Sequence, residues 1–224
     1  MASVLFEEQV EIPMGIMCLA DFRRWALSDS FPERGRIDFI AGRIEVDMSP
    51  EDLFTHGTLK SEVAGEIKDR ANQLDLGHTL IADTRVSSIP GDLSAEPDVV
   101  LVSYEAIDRG RVRLVPKASG KEERYVEIEG GPDLIVEIVS DSSVKKDNTR
   151  LPAAYFAAGV LEYWLFDARA EQLVFRVHHR GPSSFEVTSV DEEGFQPSEV
   201  LRQSYRLDRD RHARGHWIYR LRTR

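Results

Sequence analysis

Two short runs of Val, Ile and Leu that carry acidic residues are the clearest feature of the hydrophobic pattern. They span residues 96–102 (EPDVVLV) and 132–140 (PDLIVEIVS). Apolar runs of this length are typical of buried strands. An unpaired ionised carboxylate there loses several kcal/mol of hydration. Glu137 therefore needs a partner. If Asp98 and Glu137 face each other on adjacent strands, their repulsion is about 4 kcal/mol at ~4 Å and an effective dielectric of ~20, and a shared cation would reverse it.

The rest of the pattern predicts a mixture of hairpins, strands and helices. Residues 36–48 alternate apolar and polar positions around Ala41-Gly42, which predicts a β-hairpin. Ser49 before Pro50 predicts the start of a helix, with apolar residues at helical spacing as far as Leu74. Further strands are predicted at 78–89, 97–104, 132–140, 163–166 and 173–177, with an inserted hairpin over 111–129.

A second helix is predicted after the second acidic strand. Thr149 is its expected cap, Pro152 fits its first turn, and Gly159 ends it. Lys145 and Lys146 then fall in the connecting loop. The order of elements indicates an α/β fold in which helices flank a mixed sheet, as one domain over 1–224 with a core at about 36–177.

Composition indicates the cellular compartment and excludes a disulfide within the chain. No apolar run approaches the ~18 residues that span a bilayer, and the first residues are acidic, so we expect a cytoplasmic protein without a membrane segment. The single cysteine, Cys18, excludes an internal disulfide and is expected to be a small core residue.

Charge is distributed unevenly along the chain. The net charge of −10 argues against a protein that coats nucleic acid, but residues 201–224 carry eight Arg against two Asp, a balance of +6 that leaves −16 elsewhere. Two interpretations of this basic C-terminal segment stay open. It binds a polyanion, or it is an exposed Arg-rich hairpin that favours solubility.

Several motifs together resemble a known family. They are Pro97-Asp98, Val136–Ser140, Asp147, Tyr155, Ala158-Gly159-Val160 and the run Glu162–Asp167 (EYWLFD). From about Ile37 to Asp167 the chain resembles the Uma-two family of restriction-endonuclease-like proteins, within the PD-(D/E)XK nuclease superfamily. The resemblance implies a restriction-endonuclease-like central mixed β-sheet flanked by α-helices, and metal-dependent cleavage of phosphodiester bonds in DNA.

The resemblance also implies a set of site residues. Asp98 and Glu137 match the two acids that hold Mg²⁺ or Mn²⁺, and the backbone carbonyl of Ile138 would be a further ligand. Such a sparse set suits Mg²⁺, which keeps several waters. An acid near Asp38 and a histidine near His56 are frequent in the family, although a buried histidine bonded to a backbone carbonyl is an equal alternative for His56.

One position departs from the superfamily pattern. The lysine expected two residues after the second acid is Val139, and the replacement position early in the next helix is Leu151. Lys146 is the first candidate to assist the attacking water, with Lys145 and Arg150 as alternatives. If none reaches the site, the protein is a slow or inactive nuclease.

Alternatives remain for the acids and for the protein as a whole. Asp98 and Glu137 could instead form ion pairs with Arg85, Arg150 or Lys146, although buried pairs stabilise poorly. A symmetric homodimer is expected because cutting both strands needs two sites, and the 111–129 hairpin is a candidate contact. The rival functions are a nucleic-acid-binding module without turnover and a structural or regulatory partner protein.

Overall fold

The computed structural model describes residues 10–32, 35–117 and 123–224, and in this part of the chain the strands form three sheets. The α-helices are α1 (Leu19–Ala26), α2 (Thr58–Gln73), α3 (Tyr104–Asp108) and α4 (Leu151–Ala158), with π-helical turns at Leu53–Gly57 and Lys146–Arg150. The strands are β1 (Arg36–Ile40), β2 (Arg43–Asp47), β3 (Gly77–Ile81), β4 (Arg85–Ser88), β5 (Leu93–Ala95), β6 (Val99–Ser103), β7 (Val112–Pro116), β8 (Tyr125–Gly130), β9 (Leu134–Ile138), β10 (Glu162–Asp167), β11 (Val174–Arg180), β12 (Phe185–Val187), β13 (Gln196–Ser198), β14 (Gln203–Arg211) and β15 (Trp217–Thr223).

Both large sheets are mixed. The first has the order β2-β1-β5-β4-β8-β7, in which β4 and β8 are parallel. The second has the order β12-β11-β10-β9-β6-β3, in which β9 and β10 are parallel, and the third is β13-β14-β15. The predicted α/β class with helices beside mixed sheets is confirmed, but the strands divide among three sheets.

The two acidic runs form neighbouring central strands of the second sheet, β6 and β9, whose residues are all buried. One face packs against α2 and the third sheet, and the other packs against α4 and the first sheet. Burial on both faces explains why these strands are continuously apolar instead of alternating.

The helix start predicted at Ser49 is wrong. Asp52 caps the π-helical turn Leu53–Gly57, where its side chain accepts hydrogen bonds from Phe54 N at 2.9 Å and Thr55 N at 2.6 Å. The turn continues directly into α2. His56 is therefore held in a capped turn before the helix.

The single strand predicted over 78–89 is also wrong. Ala82 (φ 42°) and Asp83 (φ 45°) adopt left-handed backbone conformations that break the chain between β3 and β4. The two halves consequently join different sheets, β3 the second and β4 the first. Neither alanine nor aspartate signals such a break as glycine would.

The second helix is longer at its start than predicted. Thr149 is not a cap, because it lies inside the π-helical turn Lys146–Arg150, which continues into α4. Lys146 belongs to this turn and is not in a loop. Gly159 ends α4 as predicted, with a left-handed φ of 90°.

The ends of the chain add packing that the predicted core did not include. Cys18 is exposed, which corrects its expected place in the core, since the buried face of α1 is formed by Leu19, Phe22 and Trp25. The basic segment forms the β14–β15 hairpin, and Tyr205 and Leu221 from its strands are buried against the α2 face of the second sheet. The core therefore extends past residue 177.

The predicted hairpin over 111–129 corresponds to β7 and β8, which pair antiparallel at one edge of the first sheet. Residues 118–122 at its tip lie outside the described part of the chain. Among the helices of the described ranges, none combines the length and hydrophobicity that crossing a bilayer requires. That 1–224 forms one domain stays a prediction.

Candidate active site

The two predicted metal-binding acids lie opposite each other. Asp98 directly precedes β6, and extending the antiparallel register one step beyond its last pair, Val99 with Val136, places Asp98 across from Glu137 of β9. Asp98 is 0% exposed and Glu137 is 1% exposed, so both carboxylates are buried next to each other.

Asp98 is surrounded by donors. Its Oδ2 accepts a hydrogen bond from Ile138 N at 2.8 Å and lies 3.5 Å from His56 Nε2. Its Oδ1 lies 3.0 Å from Arg36 Nη2 and 3.2 Å from Lys60 Nζ. Burial opposes ionisation, but His56, Arg36 and Lys60 outweigh it and hold the pKa of Asp98 well below its usual range. Asp98 is therefore a carboxylate at neutral pH.

Glu137 has a different environment. Its Oε1 accepts a hydrogen bond from Tyr155 Oη at 2.6 Å, whereas its buried Oε2 has no partner among the described residues. Burial raises the pKa of Glu137 well above its usual range, and the charges of Asp147 and Asp98 raise it further. A buried acceptor without a partner costs about 1–3 kcal/mol. This oxygen is suited to a cation.

A third carboxylate adjoins the pair. Asp147, in the π-helical turn before α4, accepts a hydrogen bond from Ser143 Oγ, while its buried Oδ1 has no partner in the described ranges. Burial raises the pKa of Asp147 to about 6, and the Asp98 charge contributes to the increase. Asp147 was part of the motif that resembles the family, but the sequence suggested no role for it.

Lys146 and Asp38 form a buried ion pair. Lys146 Nζ lies 3.0 Å from Asp38 Oδ2, and Asp38 Oδ1 accepts a hydrogen bond from Glu96 N at 3.1 Å. Burial opposes the charge of Lys146, but Asp38 and Glu137 outweigh it and raise the pKa of the lysine. The structure thus brings both predicted residues close to the site, and their contact is with each other.

The other basic residues considered from the sequence lie elsewhere. Lys145 is exposed, and Arg150 pairs with Glu45 at 2.6 Å. Arg85 pairs with Glu96 and also donates to the carbonyl of Ile37. None of these provides the alternative ion pair with Asp98, and the cations that do so are Arg36 and Lys60.

Glu51 is a further site residue that the sequence did not reveal. It lies just before the capped turn, with Oε2 at 3.4 Å from His56 Nδ1 and Oε1 at 2.6 Å from Lys60 Nζ. Glu51, His56 and Asp98 each offer one ligand atom, and these atoms lie within 4.8 Å of one another. The available signals were the acid near the predicted helix start and the four-residue spacing of His56 and Lys60.

A cleft of about 400 Å³ gives access to this cluster. Arg36, Glu51, His56 and Lys60 line it, and three of them contact Asp98. Glu51 is 48% exposed, whereas Lys60 is 14% exposed. The cationic side chains therefore stand between the cleft and the buried carboxylates.

Several other aromatic and ionisable residues are buried or half-buried in the fold. Tyr155, Tyr163 and Trp164 are fully buried. Tyr163 Oη also donates to the carbonyl of Asp147 at 2.8 Å, so two of these aromatic residues bind site elements. Glu62 of α2 is half-buried and accepts a hydrogen bond from Leu221 N at 2.9 Å. The adjacent histidines 178–179 are half-exposed in β11.

These observations define a class of protein with a mixed α/β fold and a buried carboxylate cluster that lies beneath an open polar cleft. A family model described as "Uma2: Putative restriction endonuclease" matches residues 19–209. The chain belongs to this Uma2 (Uma-two) family, and at a coarse level it is a restriction-endonuclease-like nuclease.

A solved structure has a similar fold. It is described as a "putative nuclease belonging to DUF820" from Anabaena variabilis ATCC 29413, with a TM-score of 0.60 and 19% sequence identity, and the match covers 83% of this chain and 90% of that chain. At this identity the likeness bears on the fold alone. No curated protein matches the chain.

Proposed function

We propose that the protein is a Mg²⁺- or Mn²⁺-dependent endonuclease of the PD-(D/E)XK type that hydrolyses phosphodiester bonds in DNA. The observation that carries the proposal is the pair of buried, opposed carboxylates, Asp98 and Glu137, with Glu137 Oε2 lacking a partner among the described residues. Family membership supports the same class of reaction.

The residues present fit a divalent metal ion. Hard cations prefer oxygen ligands, and Asp98 and Glu137 supply them on adjacent strands. His56 and Glu51 extend this donor set at its cleft side. We propose Asp98, Glu137 and the carbonyl of Ile138 as ligands, with Glu51 and His56 as further candidates. When bound, the ion supplies Lewis-acid stabilisation of the phosphate and lowers the pKa of a coordinated water.

The basic residues have separate proposed roles. Lys60 and Arg36 line the cleft and touch Asp98, so they are placed to attract the phosphate and to offset negative charge at the site. We propose that Lys60 supplies the positive charge that the motif lysine would otherwise provide. The charge of Lys146 favours the ionised form of Glu137. The ion pair with Asp38 holds the ammonium group of Lys146 in position.

The experiment follows nicking of a supercoiled plasmid with Mg²⁺ or Mn²⁺. Glu137→Gln keeps an oxygen for Tyr155 but removes the charge, so we expect nicking to fall at least about 100-fold, the scale for losing a group that stabilises transition-state charge. The matched control is Glu105→Gln, on the exposed face of α3, which should nick as the wild type does.

A second readout does not depend on turnover. Ligands that bind only the folded state stabilise it, by about 2.7 kcal/mol at 100 times Kd. Mn²⁺ should therefore raise the melting temperature of the wild type and of Glu105→Gln but not of Glu137→Gln. Absence of both nicking and stabilisation in the wild type would refute the proposal.

A DNA-binding module without turnover is the second candidate. It is favoured by the occupation of both Asp98 oxygens by donors and by Val139 at the motif lysine position. This function predicts that the protein retains DNA at low salt, yet leaves the plasmid intact with Mn²⁺ at high protein concentration.

We also propose that the endonuclease acts as a homodimer. Cleavage of both strands of a duplex needs two active sites, and a two-fold axis supplies them. Strand β7 lies at an edge of the first sheet, where another chain has access to it.

A further inference from the structure

The arginines of the β14–β15 hairpin fall into two groups. Along the body of the hairpin four of them are paired with acids: Arg206 and Arg222 with Asp208, Arg220 with Asp210, and Arg224 with Asp191 and Glu193. Arg209, also on the body, donates instead to the carbonyls of Ala168, Ala170 and Glu171. Within the part of the chain that the structure describes, Arg211 and Arg214 have no acidic partner, and both are at the tip. Arg202 is likewise unpaired but lies at the opposite end. The free charge at the tip is therefore not neutralised locally.

The tip is exposed and partly ordered by an aromatic ring. All of the residues 210–216 are exposed. The guanidinium of Arg211 lies 4.4 Å from the centre of the Trp217 ring, and that of Arg209 lies 4.1 Å from it. Such cation–π contacts hold a guanidinium in place while its N–H groups stay available. Arg211 is thus held in a position from which its free N–H groups can bind an anion from outside the protein.

The tip adjoins the catalytic cleft. The ring of His216 stacks on Phe54, with ring centres 4.4 Å apart and planes 8° from parallel. Phe54 lies in the same π-helical turn as His56, which lines the cleft. A long ligand in the cleft would consequently pass beside the tip.

We propose that Arg211 and Arg214 bind the phosphate backbone of a DNA duplex that extends out of the cleft. This inference deepens the proposed nuclease function and rests on it for the identity of the ligand. The rest of the chain outside 201–224 carries −16, so a polyanion is favoured only where positive charge is concentrated. The planar fork of arginine matches two phosphate oxygens.

The experiment measures binding of a labelled DNA duplex by fluorescence anisotropy, without divalent metal so that no cleavage occurs. Salt is varied between about 50 and 200 mM, since each phosphate contact contributes ~0.9 to the slope of log K against log salt. Arg211→Ala/Arg214→Ala should weaken binding at least about tenfold at low salt and reduce the slope by ~1.8.

The matched control is Arg222→Ala/Arg224→Ala, which removes the same charge from two paired arginines of the same hairpin. We expect its slope to change by less than ~0.9. Equal effects of the two double variants would show only long-range electrostatics and would overturn the inference, as would unchanged binding by the tip variant. Melting temperatures confirm that each variant is folded.

The outcomes for the tip and for the nuclease are distinguishable. A wild type that nicks plasmid, with a tip variant that binds as tightly as the wild type, refutes the tip contact alone. A wild type that neither nicks plasmid nor is stabilised by Mn²⁺, but whose DNA binding depends on Arg211 and Arg214, refutes the nuclease and supports the tip contact on a binding module.

Discussion

Two neighbouring carboxylates in the site have opposite tendencies to ionise. Asp98 is bonded to Arg36, Lys60 and a backbone N–H, and its pKa is low. Glu137 has one hydroxyl partner, Tyr155, and its pKa is high. Pairs of titratable groups whose surroundings separate their pKa values are typical of catalytic sites. The asymmetry comes from donors on β1 and α2 that reach only the first acid.

Asp147 allows a test of how much a buried acid lowers the free energy of unfolding. Its pKa is about 6 in the folded protein against the usual 3.8. Between these values the folded state holds a proton that the unfolded state has lost, so stability falls as pH rises through this window and stays low above it. Below about 3.8 both states are protonated and the cost disappears.

Asp147→Asn should therefore be more stable than the wild type at pH 7, by about 1–3 kcal/mol, since one pKa unit is about 1.4 kcal/mol. Its stability should also vary less between about pH 4 and 6. Urea unfolding in chelator measures both. Asp141→Asn, at a side chain that is 96% exposed, is the control and should follow the wild type. A destabilised Asp147→Asn at pH 7 would contradict this account.

At the residue scale, the sequence indicated part of the site. Asp98 and Glu137 stood out because acids interrupt apolar strands, and this signal is local. Arg36 and Lys60 reach Asp98 from β1 and α2, and Glu51 joins them through its contact with Lys60. The local signals for Glu51 and Lys60 do not by themselves point to Asp98. Their role depends on tertiary contacts that one sequence does not show.

At the scale of elements, the capped turn Leu53–Gly57 positions the cleft side of the site. Asp52 Oδ1 binds the backbone N–H of Phe54 and Thr55 and also the hydroxyl of Thr55, at 2.8 Å. These bonds satisfy donors that a helix start leaves free. His56 follows within the same turn, so its approach to Asp98 depends on this cap.

Asp52→Ala should cost about 1 kcal/mol of stability, the usual cost of losing a cap. Because the turn also carries His56 and stacks on the hairpin tip through Phe54, nicking should fall by a larger factor than the loss of folded protein explains. Asp52→Asn keeps a capping oxygen and should restore both properties. Urea unfolding and plasmid nicking are the measurements, and equal behaviour of the two variants would count against the cap.

Elements were predicted best where a local rule decides them. Gly159 ends α4 because a left-handed residue is needed there, and the 36–48 hairpin follows its alternation. The helix start was predicted at Ser49 but lies at Asp52. Both residue types cap helices, and only the folded backbone determines which of them does so. The chain breaks at Ala82 and Asp83 because β3 and β4, on either side, belong to two different sheets.

At the scale of the whole molecule, the sheets place the site where their strands meet. Asp38 comes from β1 of the first sheet, whereas Asp98 and Glu137 adjoin the paired strands of the second. The side chains of both sheets share a core cluster that includes Ile40 and Val100. Assignment of strands to sheets decides which residues meet, and the hydrophobic pattern alone does not contain that information.

The proposed homodimer is tested at the β7–β8 hairpin, in which β7 is the edge strand of the first sheet. Tyr125 is 54% exposed on β8, and Val187, which is 51% exposed on β12, is a matched residue at an edge of the second sheet. If a second copy covers the β7–β8 hairpin, Tyr125→Glu buries a charge in the interface and should yield monomers, whereas Val187→Glu should remain dimeric. Sedimentation velocity measures the oligomeric state.

The dimer also has a consequence for the products of cleavage. Two active sites related by a two-fold axis can cut both strands in one encounter with the DNA. The wild type and Val187→Glu should therefore give linear plasmid early in the reaction. Tyr125→Glu should accumulate nicked circles, because each monomer cuts one strand at a time. A wild type that sediments as one chain while producing linear plasmid would exclude this dimer. Dimers of Tyr125→Glu would instead place the contact on another surface.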